Sequence, residues 1–367
     1  MPDINPFTLP NNFYEKVSSK LLTAPRAQFV YAHGLLGALM QSLDLGDLSG
    51  SFAGTGHTGA GAQIAGAPVG NLENDALKLY NGVLSQIFET PLEPGFVGMP
   101  GTVVRFNRPA YDSTTYTWAS RTVGPTQAIS TTPIGVKSEQ ASLALQLLTG
   151  PYDSANNCVA PYALDKFSAQ VGVHKVTDYT GEMLKYDFHR VLEAGVTALL
   201  DTGTAIYPAG MTADNDITTT NGGALSVEQI ARAQKTMDDA NLPTFADGYR
   251  LLVLPPTGAY HLSGDSQFRD ARYFQEMNIV YRTYIGSIRG FHIITSTTLT
   301  STANTSSVGV YKAHAVAPGV LGVASGIAPT VAFSNDTNFG LTGKVMWQAC
   351  MALGLLNNAY AYTLRFG

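Results

Sequence analysis

Asp214, Asn215 and Asp216 are three consecutive residues whose side-chain oxygens could bind a hard cation, and they lie in a Gly/Thr-rich segment. Calcium is held in loops by clustered carboxylate and amide oxygens. A calcium loop of the EF-hand type that began at Asp214 would need glycine at its sixth position and glutamate at its twelfth. The chain has Thr219 and Leu225 there, so we expect a solvated turn and no calcium site.

Histidine and cysteine, the usual ligands of zinc, are not spaced for metal binding in this chain. No two histidines follow the His-x-x-x-His or His-Glu-x-x-His pattern. His189 has Asp187 and Arg190 as near neighbours, and we expect it to be a packed helix residue. Cys158 and Cys350 form no Cys-x-x-Cys pattern, and we expect two buried apolar thiols. The histidines are His33, His57, His174, His189, His261, His292 and His314.

The sequence patterns of nucleotide binding and of nucleophilic catalysis are also missing. No Gly-x-Ser-x-Gly nucleophile elbow occurs, and LTGKVM at 341–346 lacks the length and the hydroxyl residue of a phosphate-binding loop. GTGHTGAG at 54–61 follows no apolar strand, and no acidic residue is placed to anchor a ribose. The carboxylates are scattered, with no pair for acid–base work. We therefore predict no catalytic, cofactor-binding or metal site, no cofactor, and no enzymatic activity.

The composition indicates a protein whose surface is covered by neighbours. Only 13% of the residues are charged and 45% are hydrophobic, whereas ordinary domains carry about 25% charged residues. A secreted Thr/Ser/Gly-rich β-protein has similar statistics. The net charge of −5, without a basic run, argues against a sequence-specific nucleic-acid reader.

Neither a secretory signal peptide nor a membrane anchor is expected. The N-terminal sequence MPDINPFTLPNNFYEK lacks a charged region followed by an apolar one. No stretch approaches the ~20 uninterrupted apolar residues of a membrane-spanning helix. We therefore expect a soluble protein without a membrane partner.

The N-terminal quarter of the chain shows four kinds of pattern. Residues 1–12 contain three prolines and are predicted to be an extended arm. Residues 13–45 have helical spacing that is broken at Pro25. Residues 46–70 are rich in small residues, and 71–88 are predicted to form a helix capped by an asparagine.

The middle of the chain changes from strand to helix patterns. Residues 91–150 alternate apolar and polar residues, as in TVVRF and SLALQLL, and predict a long β-hairpin that projects from the body. From Leu164 to about Asp201 the apolar spacing predicts the longest helix. Glycines weaken helices by about 1 kcal/mol each relative to alanine. Because of Gly172, Gly181 and Gly195, we expect that helix to be kinked or in two pieces.

Residues 226–299 have the most distinctive order of elements. The helix-like SVEQIARAQKTMDDANLP leads into a short apolar strand, GYRLLVLPP, and then into a second helical run that ends at Met277. The segment closes on YRTYIGSIRGFHIITSTTL, where Gly286 and Gly290 flank a turn into a strand that ends in Ser/Thr. The chain itself ends in VMWQACMALGLLNNAYAYTLRF, a pattern typical of closing strands.

This order of elements resembles the major capsid proteins of tailed bacteriophages with the Hong Kong 97-type fold. The resemblance implies an α+β fold with an N-arm, an extended β-hairpin called the E-loop, a long spine helix, a peripheral domain and an axial domain. The expected ranges are 1–45 for the N-terminal arm and helix, 46–90 for a Gly-rich segment and helix, 91–150 for the E-loop and its flanking strands, 151–205 and 300–367 for the peripheral domain with the spine helix, and 206–299 for the axial domain.

The resemblance implies a structural coat protein that self-assembles, as pentamers and hexamers, into the icosahedral head of a tailed phage around double-stranded DNA. It implies assembly in the host bacterial cytoplasm, localisation in the virion, and scaffolding, portal and decoration or cement proteins as further partners. Some such capsids link a lysine to an asparagine covalently. Lys137, Asn357 and Asn358 would be the candidates, but no local motif supports this bond and we do not expect it.

A different class of protein shares part of these features. The abundance of Tyr, Thr, Asn and Gly also suits a β-rich carbohydrate-binding or fibre/adhesin module of a phage or bacterial surface. That alternative must explain the helices predicted at 71–88, 164–201 and 226–241. About one third helix would favour the capsid protein over the fibre.

Overall fold

The structure is a computed structural model of the chain. The N-terminal arm 1–12, the Gly-rich segment 46–70, and Lys137 lie outside the residues that the structure describes. The described residues are 21, 29–42, 84, 86–89, 101–109, 138–153, 155, 158–165, 176–218, 223–245, 247–268, 284–335 and 342–367.

Helices and strands alternate along the described residues. The α-helices are α1 (Val30–Ser42), α2 (Val176–Leu200), α3 (Val227–Asp239) and α4 (Pro256–Gly264), with 3-10 turns at Asp214–Asp216 and Asn358–Tyr360. The strands before α2 are β1 (Phe88–Glu89), β2 (Val103–Pro109), β3 (Ser138–Ala144), β4 (Gln146–Gly150), β5 (Tyr152–Asp153), β6 (Cys158–Val159) and β7 (Tyr162–Asp165). The strands after α2 are β8 (Thr204–Ile206), β9 (Arg250–Leu254), β10 (Tyr284–Ile288), β11 (Phe291–Thr295), β12 (Thr302–Ala303), β13 (Gly309–Val316), β14 (Leu321–Asn335), β15 (Thr342–Leu355) and β16 (Ala361–Phe366).

Within the described ranges these strands form two larger sheets and two small ones. The five-stranded sheet has the order β1-β14-β15-β4, with β7 pairing farther along β15. The seven-stranded sheet has the order β10-β11-β9-β13-β16-β8, with β12 at the side of β13. Two-stranded pairs are formed by β2 with β3 and by β5 with β6. The chain is therefore a mixed helix-and-sheet protein, as the sequence predicted.

The seven-stranded sheet is covered on both faces, as the burial of strand β9 shows. All five of its residues, RLLVL, are buried. Leu251 and Val253 belong to the core beneath the long helix α2, whereas Leu252 and Leu254 belong to the core beneath α3 and α4. Successive side chains of a strand point to opposite faces. The four consecutive apolar residues of β9 after Arg250 are therefore what a sheet between two helical layers requires.

The long helix is one continuous element that begins later than predicted. It covers 176–200, and its buried stripe recurs every four residues, at Leu184, Phe188, Leu192, Val196 and Leu200. The prediction of a helix start at residue 164 was wrong. Strand β7 occupies that position and pairs with the start of β15. The apolar residues of β7 fit a strand at the edge of a sheet as well as they fit the start of a helix.

Within the described residues, the predicted division of the long helix into two pieces is not found. Gly181 and Gly195 both lie inside the continuous helix. A Cβ atom added at Gly195 would lie 3.4 Å from a methyl group of Leu353. That distance is an ordinary van der Waals contact, so the helix lies close to strand β15 at this point but does not require glycine there.

The predicted β-hairpin is present at its base. Strands β2 and β3 pair in register over all seven residues, from Val103 opposite Ala144 to Pro109 opposite Ser138. Val104 and Phe106 are buried against Leu145 and the five-stranded sheet. The segment 110–137 between the two strands lies outside the described residues.

Two further boundaries differ from the sequence expectation. Ile87 lies in a turn and Phe88 in a strand that pairs in parallel with β14, whereas 71–88 was predicted as helix throughout. Helix α4 ends at Gly264, and residues 266–268 are helical again, so the predicted helical run is interrupted at Asp265. Asp265 is extended, and its carboxylate accepts hydrogen bonds from the backbone N–H groups of Val227 and Gln267. Both boundaries depend on partners distant in sequence or on local turn chemistry.

The C-terminal third of the chain supplies strands to both larger sheets. Strands β13 and β16, which the sequence groups with the peripheral domain, lie in the seven-stranded sheet beside β9. Strands β14 and β15 pair with one another in the five-stranded sheet. Among the described residues, no helix has the length and apolar character needed to cross a bilayer.

Candidate functional site

The long helix carries polar side chains into the interior, and each one fixes a different element. They are Asp187, His189 and Glu193 on the helix, and Asp201 directly after its end. His189 and Glu193 are each only 1% exposed. Buried polar groups destabilise a protein unless they are hydrogen-bonded. We name this group of residues and their partners the polar junction.

Glu193 is the centre of the polar junction. Its carboxylate accepts a hydrogen bond from the Ala32 backbone N–H at 2.8 Å, from the Thr298 hydroxyl at 2.9 Å and from the Ser296 hydroxyl at 3.4 Å. Burial raises the pKa of Glu193 from 4.5 to about 7, and these hydrogen bonds oppose the rise. A single carboxyl group therefore joins the long helix to helix α1 and to the segment that follows β11.

A second chain of hydrogen bonds runs beside it. The Tyr31 hydroxyl lies 2.7 Å from His314 Nδ1, and His314 Nε2 lies 2.9 Å from Asp201 Oδ1. Lys312 Nζ donates to Asp201 Oδ2 at 2.8 Å. If His314 is neutral with its proton on Nε2, it donates to Asp201 and accepts from Tyr31. Helix α1, the end of the long helix, and β13 are thereby held together.

The pKa values in this chain follow from burial and from charge. Burial lowers the pKa of His314, and the hydrogen bond and charge of Asp201 oppose that change. Burial acts to raise the pKa of Asp201, but the hydrogen bonds and charges of His314 and Lys312 outweigh it, and the net pKa is lowered. Burial, followed by the charges of Glu193 and Asp201, raises the pKa of Tyr31 well above its ordinary value. These directions keep Asp201 ionised, and His314 and Tyr31 uncharged, near neutral pH.

Two more polar side chains of the long helix, Asp187 and His189, form hydrogen bonds to other segments. The Trp347 indole N–H donates to Asp187 Oδ2 at 2.7 Å. His189 Nε2 lies 2.9 Å from the Leu21 carbonyl oxygen. A Cβ atom added at Gly150, at the end of β4, would lie 2.4 Å from Trp347 Nε1. Glycine is therefore required where the end of β4 passes Trp347 and the long helix.

The arrangement is suited to holding elements together and not to turning over a substrate. A Tyr-His-Asp chain can relay protons in an enzyme, but Tyr31 and His314 are both 0% exposed here. A substrate has no access to either side chain. Within the part of the chain that the structure describes, no group of three or more His, Cys, Asp or Glu side chains is placed to hold a metal ion.

The three residues considered for calcium form a turn in which each side chain accepts a hydrogen bond from a protein donor, while Asp214 Oδ1 is buried without a partner among the described residues. Asp216 Oδ2 accepts from the backbone N–H groups of Thr212 and Ala213 at 2.8 and 2.9 Å. Asp214 Oδ2 accepts from Arg365 at 2.9 Å. Asn215 Oδ1 accepts from the Thr305 hydroxyl at 2.9 Å. These contacts attach the turn to strand β16 and to the loop after β12.

The remaining predicted candidates are spread over the structure. His261 Nδ1 accepts from the Leu225 N–H at 3.3 Å, and His292 contacts Asp247 at 2.6 Å. His33, His57 and His174 are not among the side chains that the structure describes. Cys350 is buried, but Cys158 is exposed, so the expectation of two buried thiols was wrong for Cys158. Asn357 accepts from the Ala359 N–H at 3.0 Å as the cap of a 3-10 turn, and its possible covalent partner Lys137 is not described.

Sequence reasoning did not find the polar junction. Glu193, Asp201, Tyr31 and His314 were not singled out, because their partners are more than 100 residues away. One local signal was available. His189 and Glu193 are four residues apart and border the apolar stripe of the long helix, so both point inward.

The fold agrees with that of solved bacteriophage capsids. Neither a family model nor a curated protein sequence matches the chain. The capsid structure of the Cyanophage P-SCSP1u is similar with a TM-score of 0.53 and 14% identity, covering 84% of this chain and 91% of that chain. The capsid of Ralstonia phage GP4 is similar with a TM-score of 0.53 and 10% identity, covering 76% of this chain and 87% of that chain. The Cyanophage Pam1 capsid is similar with a TM-score of 0.52 and 11% identity, covering 77% of this chain and 88% of that chain. The chain therefore has the fold of bacteriophage capsid proteins.

Proposed function

We propose that this chain is the major capsid protein of a tailed bacteriophage, a structural protein without enzymatic activity that self-assembles into the icosahedral head around double-stranded DNA. The observation that carries the proposal is the shared fold, which extends over most of this chain and over about nine tenths of each similar capsid chain. A match of that extent concerns the whole architecture and not one recurrent motif.

We further propose the Hong Kong 97-type architecture for this fold. The long helix α2 would be the spine helix, and the hairpin β2–β3 would be the base of the E-loop. The five-stranded sheet with the long helix would form the peripheral domain, and the seven-stranded sheet with α3 and α4 the axial domain. Helix α1 would belong to the N-terminal arm. The order of these elements along the chain supports the assignment.

The proposed mechanism is assembly of copies through their covered surfaces. Obligate interfaces bury a few thousand Å² and are less charged than an ordinary surface. The low charged fraction of 13% suits that requirement. The net charge of −5 suits a shell whose inner face lies close to DNA without binding its sequence. Pentamers and hexamers in the virion, together with portal, scaffolding and decoration proteins, belong to the same proposal.

The fibre or adhesin alternative is less well supported. A β-rich adhesive module would not need the 25-residue helix α2, or α3, whose buried residues form one core with the seven-stranded sheet. The similar structures reported above are capsids. The abundance of Tyr, Thr, Asn and Gly is explained equally well by the strands and turns of the capsid fold.

Size-exclusion chromatography combined with negative-stain electron microscopy of the concentrated, purified protein tests the proposal. We expect closed shells, or stable pentamers and hexamers. A protein that stays monomeric, or forms an elongated trimer, would favour the fibre class. The same preparation with an added scaffolding partner is the necessary second arm, because some shells require one to assemble.

A further inference from the structure

Helix α1 begins without a capping residue of its own. The first N–H groups of an α-helix have no partner inside the helix and are usually satisfied by Ser, Thr, Asp or Asn just before it. Here Phe29 precedes Val30, and the first turn contains no acidic residue. Because Val30, Tyr31 and Ala32 are buried, water does not replace the missing cap.

Glu193 supplies the cap from a different helix. Its Oε2 atom accepts the Ala32 N–H at 2.8 Å, and the Tyr31 N–H also stabilises its charge. A negative charge at a helix N-terminus is favourable because the peptide dipoles leave partial positive charge there. The capping residue lies 161 positions later in the chain. Helix α1 is therefore completed only when it docks on the long helix.

The groups around Glu193 determine how its charge is balanced. Helix α1 contributes Tyr31, and the segment after β11 contributes the hydroxyls of Ser296 and Thr298. On its own helix His189 lies one turn earlier and contacts the Leu21 carbonyl. Strand β13 contributes His314 and Lys312, and both of these contact Asp201. The described partners of the Glu193 carboxylate are all uncharged hydroxyl and backbone N–H groups, which stabilise its charge without neutralising it.

We propose that Glu193 is a pH-sensitive latch. It caps helix α1 from another helix of the same chain, and its protonation state sets how firmly α1 is docked on the long helix. In the protonated form the carboxyl group keeps one oxygen for the Ala32 N–H and donates its proton to a neighbouring hydroxyl. In the ionised form the same pocket must hold a buried charge. The inference concerns the folded chain and does not depend on shell assembly.

The pH dependence of docking follows from the difference between the ordinary pKa of Glu193 and its pKa in the folded protein. Burial raises its pKa from 4.5 to about 7. A group whose pKa is raised on folding contributes stability that is fully present below the lower pKa and is lost as the pH rises through the higher one. The contribution of Glu193 to the docking of α1 is therefore largest in acid. If the undocked helix leaves Glu193 with its ordinary pKa, the Glu193 contribution changes the docking equilibrium by ~30-fold between pH 5.5 and 8.5.

His314 acts in the opposite direction. Burial lowers its pKa, so its contribution is lost when the pH falls. The effect of Glu193 must therefore be measured as the difference between the wild-type protein and Glu193→Gln, in which His314 is unchanged. The matched control is Glu182→Gln, because Glu182 is an exposed glutamate on the same helix.

Hydrogen–deuterium exchange of the 30–42 region in the full-length protein, corrected for the intrinsic rate at each pH, measures docking. We divide the protection factor of the wild-type protein by that of Glu193→Gln at each pH. We expect this ratio to fall by ~30-fold from pH 5.5 to 8.5. The Glu182→Gln variant should follow the wild type. A wild-type profile parallel to that of Glu193→Gln at every pH would overturn the proposal.

A second measurement keeps the proposal testable if Glu193→Gln does not fold. In the Asp187→Asn variant, which lacks another carboxyl group whose pKa burial raises, infrared spectra report a protonated buried carboxyl directly. We expect its C=O band to be present at pH 6 and lost by pH 8.5. Absence of the band at pH 6 would show that Glu193 is already ionised there and would contradict the latch.

Discussion

Gly150 lies so close to Trp347 and Asp187 that it leaves no room for a side chain. A Cβ atom there would lie 2.4 Å from Trp347 Nε1 and 2.6 Å from Asp187 Oδ2, and Trp347 is fully buried. We predict that Gly150→Ala lowers the free energy of unfolding by about 1–3 kcal/mol through overpacking. Chemical denaturation of the unassembled protein measures the change.

Gly264 provides the matched control for that substitution. It lies at the end of helix α4, and a Cβ atom added there meets nothing within 4 Å. Gly264→Ala should change the free energy of unfolding by about 0.5 kcal/mol or less. If the two variants are equally stable, the close contact between β4 and Trp347 is not a feature of the folded protein.

Asp201 gives a prediction with a defined pH dependence. Its folded pKa is lowered, because the effects of His314 and Lys312 outweigh burial. A lowered carboxyl pKa contributes stability that is present above the ordinary pKa and is lost as the pH falls through the folded one. Asp201→Asn should therefore cost about 1.5–3 kcal/mol at pH 7, the range for hydrogen bonds to charged groups. The Asp201→Asn variant should also lose less stability than the wild-type protein as the pH falls.

Urea denaturation from pH 7 down to pH 3 checks the Asp201 prediction. Asp239→Asn is the control, since Asp239 is 68% exposed in an i,i+4 pair with Lys235, and exposed pairs contribute little. An Asp201→Asn protein with the wild-type acid profile would mean that the His314–Asp201–Lys312 contacts do not stabilise the fold.

At the scale of elements, the hairpin β2–β3 connects the fold to its proposed function. We predict that replacing 108–139 with Asn-Gly, a two-residue turn that Asn107 and Gln140 can flank, leaves the melting temperature within about 5 °C. The buried base at Val104 and Phe106 is retained. The same change should abolish particle formation, as seen by electron microscopy beside the unaltered chain at equal concentration. Normal shells from the shortened protein would refute the proposed E-loop role.

The elements that the sequence predicted well are those whose pattern is local. The helix predicted from SVEQIARAQKTMDD is α3, and Ser226 caps it by accepting the Gln229 N–H. The predicted turn before β11 is present but shorter than expected: Gly286 lies in β10, and Arg289 at φ 49° and Gly290 at φ 74° form the two-residue hairpin turn. In both cases residues a few positions apart decide the conformation.

The elements that the sequence misplaced depend on distant partners. The strand at 162–165 exists because β15 pairs with it, and the strand at 88–89 exists because β14 does. The polar junction is the strongest case, since Glu193 acquires its role only when Ala32 reaches it. A single sequence contains no direct signal for such pairs.

For the whole molecule, the central feature is the long helix between two sheets. One face of the seven-stranded sheet and much of the five-stranded sheet share a single core with α1 and α2. The other face of the seven-stranded sheet packs on α3 and α4 in a separate core. One core therefore joins both larger sheets to the helices α1 and α2, and the proposed assembly through covered surfaces would account for the low charged fraction of 13%.

Cryo-electron microscopy of the purified full-length protein, with a scaffolding partner added if needed, tests the central claim most directly. We predict closed particles whose capsomers have five- and six-fold symmetry, and whose repeating unit fits the long helix and the two sheets described above. Monomers or elongated trimers under every condition, with no closed particles, would contradict the claim that this chain builds a capsid.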